Sequence, residues 1–394
     1  MGFHAGSEYY KGVLDDLSRG GYSQAARDVA DRLLRLRTRL RKELPERNVT
    51  RSILLATWNL REFGRNDKYG VRLGESILYI AEIISHFDLV AIQEVNQDLG
   101  DLQRLVKLLG NWWEYLVTDV TPGGSGNEER IAFLYDGRKV QFDHLAGELV
   151  LAPKKKRPVP QPARSPFLCA FRTGWRRVSL CSVHIYYGTS KPNDPRRVKE
   201  IRAIAELLAA RNDNRQNAAD GEPENVVLLG DFNVFHKAGD KTSQALEDNR
   251  FIVPAAMRKV PATNLGRDKY FDQIAFHDPK GRLRTSRAGV FDFTKTIYGD
   301  NEANAYTQAM ERSCGEQFRS SGDKVGFYKK WRTFQISDHF PLWLELKTDF
   351  VDAYLATVMR GLTKTRWEEE SAAPGLRRLA QPIARAAHDP EGSP

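Results

Sequence analysis

Only three of the 394 residues are cysteine, and none belongs to a Cys-x-x-Cys pair, so neither a disulfide framework nor a cysteine-rich zinc site organises the chain. Cys169 and Cys181 lie on segments that could pair as adjacent strands, but as buried thiols they fit a reduced, cytoplasmic setting. No apolar run approaches the ~18–20 residues of a membrane span, which argues against a membrane partner. Met1–Lys11 has no apolar core of signal-peptide type. Gly2 follows Met1, but Gly6 stands where a myristoylation signal needs Ser or Thr. No internal repeat is visible. What is plentiful is positive charge: Lys+Arg 60 against Asp+Glu 51 gives a net +9 and a pI near 9.3. With 41% hydrophobic residues the chain can bury a sizeable core. The basic excess suits a polyanion without naming one.

Three textures follow one another. Residues 1–50 form an N-terminal extension in which Ala26, Val29, Ala30, Leu33, Leu36, Leu40 and Leu44 recur at helical steps, opposite Arg32, Arg35, Arg37, Arg39, Arg41 and Lys42. Such a helix either meets a nucleic acid or partner, or packs on the main domain with a solvated basic face. Residues 51–348 alternate β-rich runs with helical stretches and read as one catalytic domain. Strands are expected at Ile53–Trp58, Leu89–Ile92, Ile131–Tyr135, Phe167–Phe171, Val178–Val183, Val226–Leu229, Phe271–Phe276 and Leu342–Leu346, with helices at Gly74–His86 and Pro195–Ala210. Long polar loops are expected at Thr121–Glu128, Pro153–Arg164, Asn212–Asn225 and Thr296–Thr333. Residues 349–394 begin as a helix (Val351 to Leu362) and end in an Ala-, Pro- and Gly-rich tail.

Polar residues at strand ends carry the chemistry. Asn59 closes the first strand, Glu94 the second, and His184 follows Ser-Leu-Cys-Ser-Val; Asp231 and Asn233 follow Val-Val-Leu-Leu-Gly, and Asp338-His339 precede Phe-Pro-Leu-Trp-Leu. Ligands gather where strands of α/β sheets end, so this set converges on one mouth. Singly, each Asp or Asn is an ordinary turn former. Together, carboxylate and amide oxygens without thiolates select Mg²⁺ or Mn²⁺. Imidazoles paired with acids would stabilise a phosphoryl-transfer transition state.

These residues, in this order, resemble the endonuclease/exonuclease/phosphatase superfamily over roughly Ile53 to Leu346, and its deoxyribonuclease I-like branch in particular. The motifs are WNLREFG (Trp58–Gly64), IQEVN (Ile92–Asn96), EERIAFLYDGRKV (Glu128–Val140), ARSP (Ala163–Pro166), FDQI (Phe271–Ile274) and ISDHFP (Ile336–Pro341). The resemblance implies a four-layer α/β sandwich, two packed mixed β-sheets flanked by helices, and a Mg²⁺- or Mn²⁺-dependent phosphodiesterase. It implies Glu94 as main metal ligand with Asn59 and Asp338 nearby. Asp231 and Asn233 then orient the attacking water and the phosphate, His184 pairs with Glu129, and His339 pairs with Asp272. Arg61 and Arg164 take the places of phosphate-binding arginines. The implied substrate is nucleic acid, DNA ahead of RNA. The alternative is a phosphoesterase of the same superfamily acting on inositol phosphates, phospholipid headgroups or other small phosphoesters. Oligomeric state is not legible.

Departures from that branch are also informative. Asn96 and Asn127 replace groove-contacting side chains, which weakens any expectation of duplex reading. His236 and Leu265 occupy the neighbourhoods of a disulfide found in secreted members. The Thr296–Thr333 segment is longer, and interleaves Arg312, Arg319, Lys324, Lys329, Lys330 and Arg332 with Tyr298, Tyr306, Phe318, Phe327, Tyr328 and Trp331. That mixture suits stacking on single-stranded bases, or an inserted subdomain with its own small core. Lys154–Arg157 is either a phosphate-tracking cluster at the mouth or a solvated loop.

Overall fold

The computed structural model describes residues 24–64, 68–121, 128–153, 159–174, 176–216, 224–236 and 239–351, together with 355 and 358. Asn127, the Lys154–Arg157 cluster and most of the expected helix from Val351 lie outside the described residues. The chain divides into two units, residues 1–348 and 349–394.

Alternating side chains in the strands create two sheets with two apolar faces each. In β1 (Ser52–Phe63), Ile53 and Leu55 face one core while Leu54, Ala56 and Trp58 face another, the period of two that a pleated strand imposes. β2 (Leu89–Val95) and β8 (Val226–Asp231) alternate in the same way. The remaining strands are β3 (Trp113–Val117), β4 (Arg130–Asp136), β5 (Gln141–Glu148), β6 (Phe167–Thr173), β7 (Arg176–His184), β9 (Asp272–His277), β10 (Thr285–Val290) and β11 (Leu342–Lys347). They form a six-stranded sheet, β10-β11-β1-β2-β4-β3, and a five-stranded sheet, β5-β6-β7-β8-β9. Both are mixed, since β1–β2 and β7–β8 are parallel and the other pairs antiparallel.

The inner faces meet in a core that includes Leu55, Ala91, Phe133, Cys169, Leu229 and Leu344. Helix α4 (Pro195–Gln216), with Ile201, Ile204 and Leu208, covers the outer face of the five-stranded sheet, joined by α5 (Lys241–Glu247). The outer face of the six-stranded sheet is covered by α1 (Gln24–Glu43), α2 (Gly74–Ile84), α3 (Gly100–Leu109), α6 (Thr307–Arg319) and α7 (Lys324–Gln335). The result is the four-layer sandwich expected. Among the described residues no helix is long and apolar enough to cross a membrane.

All eight expected strands are present. The Thr296–Thr333 segment corrects the sequence reading, because it is largely helical. Its aromatic residues are buried and offer no faces for bases, and they form no separate core. Tyr298, Tyr306, Phe318, Phe327, Tyr328 and Trp331 share one core with Val29, Leu33 and Leu36 of α1 and Trp58 of β1. The physical reason is spacing: Phe327, Trp331 and Phe334 recur at helical steps and turn to one face. The apolar face of α1 is likewise buried, with Ala26, Val29, Leu33, Leu36 and Leu40 facing inward. Part of its basic face is engaged too: Arg32 pairs with Glu302 and Arg37 with Glu82, each at 3.0 Å. Cys169 and Cys181 face different cores, so they cannot bridge.

Candidate active site

Parallel pairing places the ends of β1 and β2 side by side, with Asn59 in register with Gln93. The β1–β2 ladder then breaks and resumes at Phe63–Val95, and the β2–β4 ladder breaks between Ile92 and Val95. Within this bulge Glu94 adopts a φ of +61°, a conformation a non-glycine residue holds only when its surroundings enforce it. The enforcing contacts run through its carboxylate. Oε1 accepts from Asn59 Nδ2 at 2.7 Å and Oε2 from the Glu62 N–H at 3.0 Å.

The five-stranded sheet supplies its residues without irregularity. His184 pairs in register with Asp231, and Asp231 with Asp272, so three strand ends form one row. Gly230 permits this: it has a φ of +134°, and a Cβ there would lie 2.1 Å from the Val183 carbonyl oxygen. Asn233, with φ +52°, donates its backbone N–H to Asp231 Oδ1 at 2.8 Å and its amide to the Ile185 carbonyl at 2.8 Å.

The two rows meet at Asp231 Oδ2. Asn59 Nδ2 donates to it at 3.0 Å, His184 Nε2 stands 3.6 Å away, and His339 Nε2 stands 3.8 Å away. Each imidazole carries an acid on its other nitrogen. His339 Nδ1 bonds Asp272 Oδ2 at 2.8 Å, and His184 Nδ1 forms an ion pair with Glu129 Oε2 at 2.9 Å. Burial and the Arg164 charge oppose protonation of His184, but Glu129 and Asp231 outweigh them and raise its pKa. Burial likewise opposes charge on His339, and Asp272 and Asp231 overcome it, holding the ring well above the ordinary imidazole value. Glu129 feels burial too, yet His184 and Arg164 pull it down to about 2.

The structure gathers Asn59, Glu94, Glu129, His184, Asp231, Asn233, Asp272 and His339. The two arginines and Asp338 lie beside this group, each tied to a partner of its own. Arg164 is buried and grips Glu129 with two bonds, of 3.0 and 3.2 Å. Arg61 lies over the Phe334 ring at 4.2 Å, donates to Thr333 Oγ1 at 2.7 Å and pairs with Asp338 at 2.9 Å. Asp338 is 37% exposed and stands outside the group Glu94, Glu129 and His184, whose ligand atoms lie within 4.8 Å of one another. As a test of fit for a hard divalent cation, two features count. Asn59 Oδ1 is buried with no hydrogen-bond partner among the described residues, and burial raises the pKa of the Glu94 carboxylate even though the His184 imidazole opposes the shift, so a further positive charge would stabilise its ionised form. Glu94 and Asn59 fit such an ion.

Supporting residues escaped the sequence reading. Gln93 accepts from Thr57 Oγ1 at 3.2 Å and donates to Ser182 Oγ at 2.9 Å, a buried bridge between the sheets beneath the site. Ser337 Oγ donates to the Asn59 carbonyl at 2.5 Å and accepts from the His339 N–H at 2.9 Å. Buried Arg72 ties down the Leu60–Glu62 backbone through its carbonyls. Gln93 and Ser337 stood inside the quoted motifs but carry no titrating group to mark them.

No curated protein sequence matches the chain. Among solved structures of similar fold, a functionally unknown conserved protein from Enterococcus faecalis V583 is 17% identical, with a TM-score of 0.48 over 75% of this chain and 99% of its own. A mannosyl-6-phosphatase from Bacteroides thetaiotaomicron VPI-5482 is 16% identical, with a TM-score of 0.48 over 75% and 99%. TDP2 from D. rerio, complexed with a single-strand DNA product, is 12% identical, with a TM-score of 0.46 over 75% and 98%. Residues 56–288, which hold the strand ends from Asn59 to Asp272, match the model of the Endonuclease/Exonuclease/phosphatase family, and the chain belongs to that family.

Proposed function

We propose that the protein is a divalent-metal-dependent phosphodiesterase, a nuclease hydrolysing the DNA or RNA backbone. The observation that carries this reading is the convergence of two acid-backed imidazoles and the Asn59 amide on Asp231 Oδ2, within 3.0–3.8 Å. Glu94 and Asn59 would hold Mg²⁺ or Mn²⁺, which supplies charge neutralisation at the phosphate oxygens.

The side chains do the rest. Asp231, fixed by the Asn233 backbone N–H, orients the attacking water and accepts its proton as the oxygen bonds to phosphorus. His184 and His339 present Nε2–H to the phosphate oxygens, where negative charge grows. One imidazolium then gives its proton to the departing sugar oxygen as the phosphorus–oxygen bond breaks. The acid on each Nδ1 keeps that proton on the face turned to the substrate.

The test is hydrolysis of plasmid, single-stranded DNA and RNA by purified protein with Mg²⁺ or Mn²⁺, alongside a panel of phosphomonoesters including inositol phosphates. Backbone cleavage that EDTA abolishes and either ion restores is the expected result. Turnover of monoesters alone would replace the nuclease reading by that of a small-substrate phosphatase.

A further inference from the structure

The mouth has a second wall that the phosphate chemistry does not use. The Phe271 ring stacks on His339 with centroids 5.4 Å apart. Phe235 meets Phe271 edge-on at 5.5 Å, and Tyr187 meets Phe271 edge-on at 6.2 Å. The wall thus runs outward from an imidazole of the site and ends in Tyr187, which is 41% exposed.

Tyr187 sits on a loop between β7 and α4 that is unusually well fastened. Buried Arg197 gathers the carbonyls of Tyr186, Tyr187, Thr189 and Lys191. From the other side, Asp194 accepts from the backbone N–H groups of Thr189, Arg196 and Arg197 at 3.3, 2.9 and 3.3 Å. Gly188, with φ +66°, lets the chain pass: a Cβ there would lie 2.8 Å from Asp194 Oδ2. A loop held by a buried arginine and an aspartate presents its aromatic ring with little entropy left to lose on binding. Two cations lie against the wall: Lys269 Nζ is 5.3 Å from the Phe235 ring, and the Arg197 guanidinium is 4.8 Å from the same ring. An aromatic face flanked by cations and one ring removed from a phosphate-facing imidazole matches the chemistry of a nucleotide: an anionic phosphodiester with a flat base about one residue away.

We infer that Tyr187, backed by Phe235 and Phe271, is a specificity-determining residue that stacks on the base next to the scissile phosphate. This makes an unpaired, base-bearing strand the preferred substrate, and it rests on the nuclease reading above. The test uses single-stranded oligonucleotides in which an abasic tetrahydrofuran residue replaces each nucleotide in turn. Wild-type protein cleaves the bond beside the abasic residue about 10- to 100-fold more slowly than the same bond beside a base. Tyr187→Ala brings that ratio close to one, Tyr187→Phe and Tyr187→Trp retain it, and Trp112→Ala, an exposed ring on a segment remote from the mouth, does not alter it. Because Tyr187 lies at the surface, an unchanged melting curve separates this effect from misfolding. A ratio that stays high in Tyr187→Ala overturns the inference, as does a wild-type protein that cleaves all the oligonucleotides equally, and both results leave the nuclease reading standing. A wild-type protein that cleaves none of them yet hydrolyses phosphomonoesters removes that reading, and the base-stacking role with it.

Discussion

The two His–carboxylate pairs use the same residue types at nearly the same spacing, 2.9 Å for His184–Glu129 and 2.8 Å for His339–Asp272, in unlike surroundings. Glu129 is shared: it faces His184 and also takes two bonds from buried Arg164, so its charge balances two cations. Asp272 serves one imidazole, and apart from Asp231, which faces both rings, the contacts that hold His339 are neutral, namely the Phe271 ring, the Ser337 hydroxyl and the Trp58 indole N–H. Both pairs span the two sheets, so each fixes the site and the sandwich together. The difference is that removing the acid from the first pair strands a buried arginine, whereas removing it from the second disturbs only the ring. A carboxylate's contribution to activity and its contribution to stability are therefore separable in this molecule.

Substitution of the shared centre should have the largest effect. Asp231→Asn removes the negative charge and the proton-accepting carboxylate facing both imidazoles, and kcat should fall by about 10³- to 10⁴-fold in steady-state assays. A loss below tenfold would show that the two pairs do not act through Asp231. Next in size is the contrast between the acids. Asp272→Asn should lower kcat by about 10²- to 10³-fold while leaving the melting temperature nearly unchanged. Glu129→Gln should lower kcat and also cost about 3 kcal/mol of stability, because Arg164 is left buried and unpaired. Equal melting temperatures for the two variants would erase the distinction.

Arg164→Met sharpens it further. Alone it should destabilise, because only His184 is then left to balance the buried Glu129 charge. Combined with Glu129→Gln it should recover most of the lost stability without recovering kcat, since the buried charges then leave together. A large rise in KM for Arg164→Met, with stability intact, would instead return Arg164 to the phosphate-binding role that its motif implies.

The smallest effect is expected from an ion-pair cluster at the opposite ends of the strands, where no catalytic role is proposed. Arg47 bridges Asp88 and Asp136, each at 2.6 Å, and Arg138 adds a further bond to Asp136. Burial opposes the Asp136 charge, but Arg138 and Arg47 outweigh it and depress its pKa. A depressed carboxylate contributes stability above its unfolded value of about 3.9, and that contribution fades as pH falls through the lower folded value. Arg47→Ala should therefore cost about 1–2 kcal/mol near pH 7 and progressively less below about pH 4, with no change in kcat. A stability difference that persisted undiminished at low pH would rule out this ion pair as its source.

Much of the fold was legible because interior strands are buried on both faces and read as continuous apolar runs. The three strands that escaped notice, β3, β5 and β10, are all sheet edges. Their half-exposed sequences, such as Gln-Phe-Asp-His-Leu-Ala-Gly-Glu in β5, carry little hydrophobic signal. The aromatic residues of the Thr296–Thr333 segment showed the complementary ambiguity. Their spacing fits either a stacking surface or a helix packed inward, and the six-stranded sheet offered an uncovered apolar face that decided between them.

The sequence by itself determined the layered α/β class, the ordered set of polar strand ends and the residue types available to bind a phosphate. Strand periodicity and turn chemistry are local, so they survive in a linear reading. Tertiary structure alone decided that Arg164 turns inward to Glu129, that Asp338 pairs with Arg61 at the rim, and that Glu94 reaches the site through a bulge at positive φ. Those outcomes depend on which charge finds which partner once the two sheets are packed, and for the buried Arg164 and Glu129 an unpaired charge is too costly to leave.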